Sequence, residues 1–537
     1  MAVSTPKKWY DMYIGDRITE EQASKILGTR QAECIPNLKN TIFNVPLDII
    51  RESVETGESI SSILEKNGDS LNNHIGELRD YQTLGTAFMY LSPRSIIADG
   101  CGLGKTAEIA ALINWIKYKR REMTRFLIAV EPSAVGQTQI ELMKFTALNI
   151  VTLPSDATKM RRAIKNTDWT KVGGIVIRHT TLRSDVFQSW IALNLDENGM
   201  CKLFNTFFLD ESSVIKNNST KLWTYTENIC NIVTRVHFMN ATVFETHLGD
   251  IYNQIDMVEP TLLPKRYKID KEFCVFKRDS FWKSENGKAK QQWIYKLDGY
   301  KNQEIFKKSL KLVYFGRSSK EVNKELPHIY KIYYVEPTTE MQLAVKKKYR
   351  YTEVLNCPSL IKELNIPTDR EHVPKLDRLC HLVENEFGNN SIMIYCFHLK
   401  AQQVIKDELE KIGRRPAILN GEVSSDEERY KIQHKFNTGE YDVVITNIKK
   451  SLNLYGGEVC IFYSLETNIA KMEQIRGRID RHLDNSIKTF VLLLYEHSDE
   501  FNFFADVVCQ RAKDARDLTI DSETAADYFK IAMERGE

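Results

Sequence analysis

Ser95-Ile96-Ile97-Ala98-Asp99-Gly100-Cys101-Gly102-Leu103-Gly104-Lys105-Thr106 is the stretch from which the rest of the chain can be read. A short isoleucine-rich run predicts a buried strand. It breaks into a glycine-rich turn and continues into Ala107-Glu108-Ile109-Ala110-Ala111-Leu112-Ile113, a helical pattern. Strand, glycine loop and helix start together make an anion site, because unpaired backbone N–H groups and the positive helix end point at one spot. Lys105 would reach the β- and γ-phosphates of a nucleotide, and the Thr106 hydroxyl would complete the shell of a magnesium ion. One position departs from GxxxxGK[ST]: its first glycine is Asp99.

Bulk properties bound the remainder. At 537 residues the chain exceeds one core, so several domains are expected. No apolar run reaches the ~18 residues needed to cross a bilayer, and Met1 to Asp16 lacks the apolar core of a signal peptide. The ten cysteines are scattered, no two being two to four residues apart. That spacing argues against zinc or a disulfide framework and predicts an intracellular, cytoplasmic setting. Net charge is only +2, but residues 265–350 carry 22 Lys/Arg against 10 Asp/Glu, so the rest of the chain is net acidic. Trp282, Trp293, Tyr295, Tyr300, Tyr314 and Phe315 are interleaved with these lysines, a composition suited to a phosphate backbone. Lys307, Lys308, Lys346, Lys347 and Lys348 are the candidate nucleic-acid contacts.

In chain order, residues 1–75 read as a small helical accessory segment or docking arm for a protein partner. Ile18–Leu27 has a capping-type start and Gly28 as a stop. Leu78-Arg79-Asp80-Tyr81-Gln82 precedes a helix leading to the glycine loop. Arg79 and Gln82 are candidate nucleotide contacts, since a glutamine amide can donate to and accept from an adenine edge. Phe126–Val130 and Gly174–Arg178 are further apolar strands, and strands alternating with helices imply a parallel sheet with its ligands at the carboxyl ends. The next strand, Leu203–Leu209, ends in Asp210-Glu211-Ser212-Ser213. There Asp210 can hold magnesium through its water, and Glu211 can orient or deprotonate an attacking water.

Together these motifs resemble the Swi/Snf-type ATPases of helicase superfamily two. Asp99-Gly100-Cys101-Gly102-Leu103-Gly104-Lys105-Thr106 is similar to the family's DEMGLGKT, which accounts for Asp99. Asp210–Asn217 is similar to DEAHRIKN, and Asn240-Ala241-Thr242-Val243 stands in place of TGTP. Lys375-Leu376-Asp377, the strand Ile392–Phe397, Leu419-Asn420-Gly421, Arg429 and Phe436-Asn437 resemble the second motor lobe. Gln474-Ile475-Arg476-Gly477-Arg478-Ile479-Asp480-Arg481 fits QxxGRxxR. Phe315–Val322 and Glu325-Leu326-Pro327 resemble the RRxKxxV and LP stretch between the family's lobes. Departures are Ser213 for the DEAH histidine, a shortened Thr446–Leu454 loop, and Arg481-His482-Leu483-Asp484 for the family's RIGQ turn. The compact form is similar to phage-encoded relatives.

The resemblance implies an α/β protein with two RecA-like lobes, a basic, largely helical insertion between them and small terminal helical segments. The expected boundaries are 1–75, lobe one over 76–262, insertion and linker over 263–374, lobe two over 375–500, and a helical tail over 501–537. It implies an ATP- and magnesium-dependent motor, expected to be monomeric, that translocates on double-stranded or branched DNA and remodels it or its bound proteins by closing its lobes around ATP. Lys105, Asp210, Glu211, Arg478 and Arg481 would be catalytic. Asp99 through Thr106, with Gln474 and Gly477, would hold the nucleotide. The alternatives are a strand-separating DNA or RNA helicase, or a weakly active ATP-binding scaffold.

Overall fold

The computed structural model describes residues 38–100, 102–122, 124–240, 248–285, 288–317, 328–348, 361–362, 365–423, 426–448, 452–480, 486–496, 499–518 and 525–535. Among these, residues up to Arg317 form one compact unit. Residues from His328 to Arg516 and from Ala525 to Arg535 form a second. The expected helix Ile18–Leu27 lies outside the described residues.

The first unit opens with a small antiparallel pair, β1 (Ile42–Phe43) and β2 (Ile75–Gly76). The helices Leu47–Thr56 and Ile60–Lys66 lie between them in sequence. The main sheet contains β3 (Arg94–Ile97), β4 (Phe126–Val130), β5 (Ile150–Thr152), β6 (Gly174–Arg178), β7 (Thr206–Asp210) and β8 (Arg235–Met239). After β8 come β9 (Cys274–Glu285) and β10 (Lys288–Tyr300), which among the described residues pair only with each other, and then β11 (Tyr314–Phe315). The sheet order is β11-β3-β8-β7-β4-β6-β5, and every pairing in it is parallel. All five residues of β4 are buried, as a parallel strand covered on both faces requires.

The expectation of a largely helical insertion fails over Cys274–Tyr300, which is an antiparallel ribbon. Val275, Phe276, Phe281, Trp282, Trp293, Ile294 and Tyr295 are residue types that favour strands. The innermost pair is Lys288↔Glu285, and the two residues between them in sequence are Asn286-Gly287, the pair most favoured in two-residue hairpin connections. Helical segments do flank the ribbon: Arg266–Phe273 before it, and Gln303–Leu310, which carries Lys307 and Lys308, after it. Lys346, Lys347 and Lys348 end the helix Thr339–Lys348.

The second unit is built on β12 (Ile329–Val335), β13 (Ile392–Tyr395), β14 (Pro416–Leu419), β15 (Val443–Thr446), β16 (Val459–Phe462) and β17 (Thr489–Tyr495). Their order is β12-β17-β16-β13-β15-β14, again all parallel. Alternate residues feed two separate cores. Ile392, Ile394, Val443, Ile445, Val491 and Leu493 enter one; Met393, Tyr395, Val444, Phe490, Leu492 and Leu494 enter the other. Both faces of the sheet are therefore covered. The C-terminal helix Ala525–Arg535 belongs to the second core, with Phe529 edge-on to Tyr330 and Phe462. Two parallel-sheet lobes of this kind are RecA-like. Among the described residues no helix is long and apolar enough to cross a membrane.

Candidate active site

The glycine loop leaves β3 at Ile97, whose carbonyl accepts from the Asn240 N–H at 2.9 Å. The Ala98 and Gly100 N–H groups donate to the Phe315 and Arg317 carbonyls at 2.7 and 2.9 Å, so β11 and the residues after it flank the first part of the loop. Gly102 and Gly104 have φ of 84° and 82°, the left-handed region that a side chain disfavours. A Cβ on Gly104 would stand 2.5 Å from Gln82 Nε2. Lys105 opens the helix Lys105–Asn114, and its Nζ donates to the Asp99 and Gly100 carbonyls at 2.8 and 3.3 Å. The lysine charge thus lies across the loop it was expected to serve, and Thr106 follows in the first helical turn. Cys101 lies outside the described residues.

Gln82 is brought against this loop. Its Oε1 accepts from the Arg79 N–H and its Nε2 donates to the Leu103 carbonyl, both at 3.0 Å. The Tyr81 hydroxyl donates to the same carbonyl at 3.0 Å, and Arg79 Nη1 approaches that hydroxyl at 3.4 Å. Both ends of the Gln82 amide are engaged with backbone here. The role this geometry displays is to hold the Leu103–Gly104 turn; pairing with adenine would require those bonds to be exchanged.

Beneath the loop sits a buried charge cluster that sequence reading missed. Asp99 and Glu108 are both fully buried. Arg317 lies between them, with Nε 3.1 Å from Asp99 Oδ1 and Nη2 bonded to Asp99 Oδ2. Nη2 also donates to Glu108 Oε1 at 2.7 Å, and Nη1 donates to the Tyr81 carbonyl. Burial first, and the Asp99 charge second, push the Glu108 carboxyl well above the usual carboxylate range, against the pull of Arg317. Gly85, inside the helix Asp80–Leu91, makes the room: a Cβ there would stand 2.6 Å from Glu108 Oε2 and 2.7 Å from Arg317 Nη2. Arg317 is 218 residues from Asp99 in sequence. Its place in a family-like stretch was the available signal, but nothing local named its partners.

Asp210 ends β7. The registers Ile97↔Met239 and Asp210↔Met239 put the ends of β3 and β7 level, with β8 between them. Two strand spacings separate them, roughly 10 Å across the sheet. The glycine loop and the acidic pair therefore leave the same edge. His179 Nε2 donates to the Asp210 carbonyl at 2.8 Å. Glu211 takes φ 51°, ψ 53°, a left-handed conformation rare outside glycine and frequent at working sites. Ser212, fully buried, donates to Gln254 Oε1 at 2.5 Å, and Gln254 Nε2 donates on to the Asp250 carbonyl at 3.0 Å. Asn253 Nδ2 bonds the Lys216 carbonyl. His179, Asn253 and Gln254 are thus supports of the acidic turn that no motif announced. One hydroxyl and one carboxylate at this edge fit magnesium, which keeps several waters and takes the rest of its shell from phosphates. Residues 241–243 of the stretch in place of TGTP lie outside the described residues.

In the second unit, Asn468 caps the helix Ile469–Arg476 by accepting from the Lys471 N–H at 3.1 Å. Gln474 is buried, and Gly477 ends the helix. Arg478, nearly buried, donates from Nε to the Gln474 carbonyl at 2.8 Å and from Nη1 to the Leu452 carbonyl at 3.2 Å. This holds the Gln474–Arg478 turn against the irregular Leu452–Leu454 segment ahead of β16. Arg481 lies outside the described residues. Lys307 is half-buried and Lys308 exposed.

Residues 374–482 match the helicase conserved C-terminal domain. The chain is 24% identical over 450 residues to an uncharacterized ATP-dependent helicase of Mycoplasma genitalium, covering 76% of this chain and 39% of that one. It is 23% identical over 429 residues to the SWI/SNF-related matrix-associated actin-dependent regulator of chromatin subfamily A-like protein 1 of Xenopus laevis, covering 76% and 40%. It therefore spans about two fifths of the length of these curated relatives. A solved structure, the Sulfolobus solfataricus SWI2/SNF2 ATPase core in complex with dsDNA, is similar at a TM-score of 0.39 and 16% identity, over 82% of this chain and 94% of that one. A glycine loop and an acidic pair thus stand on one parallel-sheet lobe, a match to the helicase conserved C-terminal domain lies on the other, and the chain is similar over about three quarters of its length to a SWI/SNF-related relative.

Proposed function

We propose that the chain hydrolyses ATP and uses the cycle to translocate on double-stranded DNA, remodelling branched DNA or protein–DNA complexes. The observation that carries this reading is the level placement of the Lys105 loop and the Asp210–Glu211 turn at one edge of a parallel sheet. In this reading Lys105 releases its two carbonyls to meet the β- and γ-phosphates. Thr106 and, through water, Asp210 hold magnesium, which would neutralise phosphate charge. Glu211 orients the attacking water. Arg478 and Arg481 supply positive charge as the γ-phosphate departs, an effect worth ~10³–10⁵ in rate in other NTPases. Closure of the two lobes on ATP is the coupling step. Lys307, Lys308, Lys346, Lys347 and Lys348 contact the DNA backbone, each phosphate contact adding about 0.9 to the slope of log affinity against log salt.

The test compares ATPase rates with no nucleic acid, duplex, single strand, four-way junction and RNA. Duplex or junction should stimulate most. Lys105→Ala should abolish hydrolysis, and Glu211→Gln should leave ATP bound but uncleaved. Strongest stimulation by RNA or single strand would replace the reading with a strand-separating helicase. ATP binding with no stimulated turnover would leave an ATP-binding scaffold, the outcome to which Ser213 in place of the DEAH histidine would lend itself.

A further inference from the structure

The β9–β10 ribbon runs roughly 40 Å at ~3.3 Å per residue. Its root is held firmly. The Lys301 N–H donates to the Phe273 carbonyl at 2.9 Å, and Asn302 Nδ2 donates to the Glu272 carbonyl at 2.8 Å. Phe273 packs edge-on against Phe306, their centroids 5.2 Å apart and both buried. Among the described residues the shaft pairs with no other strand.

Its two faces differ. The register Phe276↔Leu297, Arg278↔Tyr295 and Ser280↔Trp293 puts these six residues on one face. Phe276 is 45% exposed, Leu297 37%, Trp293 53% and Tyr295 72%. The Arg278 guanidinium sits 4.0 Å from the Trp293 ring centroid. Large aromatics left bare in a row mark a surface that something covers. On the other face the register sets Lys277 opposite Lys296 and Lys283 opposite Lys290. From Cys274 to Tyr300 the ribbon carries six Lys/Arg against three Asp/Glu.

Flat rings and an arginine plane on one face of a ribbon with a net excess of basic residues fit a ligand that offers flat bases and phosphates together. In a duplex the bases are already stacked on one another. We infer that the ribbon binds single-stranded nucleic acid, with unpaired bases stacking on the Trp293–Tyr295 face and phosphates drawn by the Arg278 charge and the ribbon's excess of basic residues. This deepens the proposed function: the ribbon would grip the unpaired strand beside the duplex on which the motor acts. Base stacking on aromatic side chains is tolerant of sequence, so a homopolymer serves as probe.

The experiment uses the full chain, a labelled oligothymidine and a blunt duplex of equal length, read by fluorescence anisotropy. Trp293→Ala with Tyr295→Ala should weaken oligothymidine binding by roughly ten- to a hundredfold and duplex binding by less than about twofold, because duplex contacts are to phosphates elsewhere. Trp293→Phe with Tyr295→Phe keeps the rings and should restore oligothymidine binding, which a merely misfolded ribbon would not. Undiminished oligothymidine binding in the alanine variant would overturn the inference and return the exposed face to a protein partner. Equal losses on both probes would overturn it too. If the wild-type chain binds duplex but not oligothymidine, the ribbon inference fails and the translocase reading stands. If it binds neither and no nucleic acid stimulates ATPase, both fail.

Discussion

Each lobe buries charge, and the two arrangements differ in balance and in place. In the first, two fully buried carboxylates, Asp99 and Glu108, share Arg317. In the second, Lys375 faces Glu500 at 3.1 Å, one base to one acid, with Lys375 fully buried beside the Tyr463 and Tyr495 rings. The matched pair ties the helix Pro374–His381 to Asp499–Asn502, and Glu500 also accepts from the Tyr495 N–H at 3.1 Å. It joins scaffold to scaffold. The unmatched cluster includes Asp99, whose own carbonyl receives the Lys105 ammonium. A protein gains little stability from burying an ion pair. The cluster's excess acid, set beneath a loop that should hold phosphate, therefore points to a part in setting loop geometry, whereas the Lys375–Glu500 pair needs only a structural account.

The sharpest way to break this contrast is Arg317→Ala. It leaves two carboxylates buried without a cation and should cost about 3–5 kcal/mol in urea unfolding of the first lobe. Nucleotide affinity should fall with it, since the loop loses its anchor. Adding Asp99→Asn and Glu108→Gln should recover much of both. If affinity is unchanged while stability drops, the cluster is scaffold like its counterpart.

Lys375→Met is the matching experiment in the second lobe. Stranding Glu500 should cost about 3 kcal/mol, and Lys375→Met with Glu500→Leu should recover most of it, because a well-packed apolar pair replaces a buried ion pair at little cost. Nucleotide affinity should not move in either variant. A change there would dissolve the distinction between the two sites.

Gly85→Ala probes the room the cluster needs. On helix propensity alone alanine should stabilise by about 1 kcal/mol, yet its Cβ would meet Glu108 Oε2 and Arg317 Nη2. Net destabilisation by about 1–2 kcal/mol is expected, and a rise in melting temperature would show the cluster to be loose.

The smallest effect is on pH dependence, where the two sites should carry opposite signs. Glu108 is raised in the folded state, so folding binds the extra proton: its contribution is present below the ordinary carboxylate range and is lost as pH climbs from about 4.5 towards the folded value. Lys375 is lowered, chiefly by burial, so its contribution grows as pH rises towards the ordinary lysine value near 10.5. Stability measured against pH for Glu108→Gln and for Lys375→Met with Glu500→Leu should differ from wild type with opposite slopes. Slopes of one sign would remove the argument from burial.

Much of the first lobe was legible because its signals are local. Gly102 and Gly104 announce positive φ, Lys105 and Thr106 follow at fixed spacing, and the apolar run before Asp210 is a strand whose end must lie at the sheet's edge. The second sheet was legible from Ile392–Phe397 and the Gln474–Arg481 pattern for the same reason. The ribbon was expected to be helical because the resemblance implied a helical insertion there, and its local residue preferences were not weighed against that. Strand-favouring aromatic and branched residues were present from Cys274 to Tyr300, with Asn286-Gly287 between the two runs.

By itself, then, the amino-acid sequence determined the strand–loop–helix at Asp99–Thr106, the acidic turn at Asp210–Glu211 and the parallel α/β class. Each depends on backbone preferences and apolar runs within about a dozen residues. Only tertiary structure decided that Arg317 sits between Asp99 and Glu108 from more than two hundred residues away. It also decided that Gln254 and His179 support the acidic turn, and that the Gln82 amide is used by the loop's own backbone. These are pairings of buried polar groups, and a buried polar group bonds whichever partner the packing brings to it.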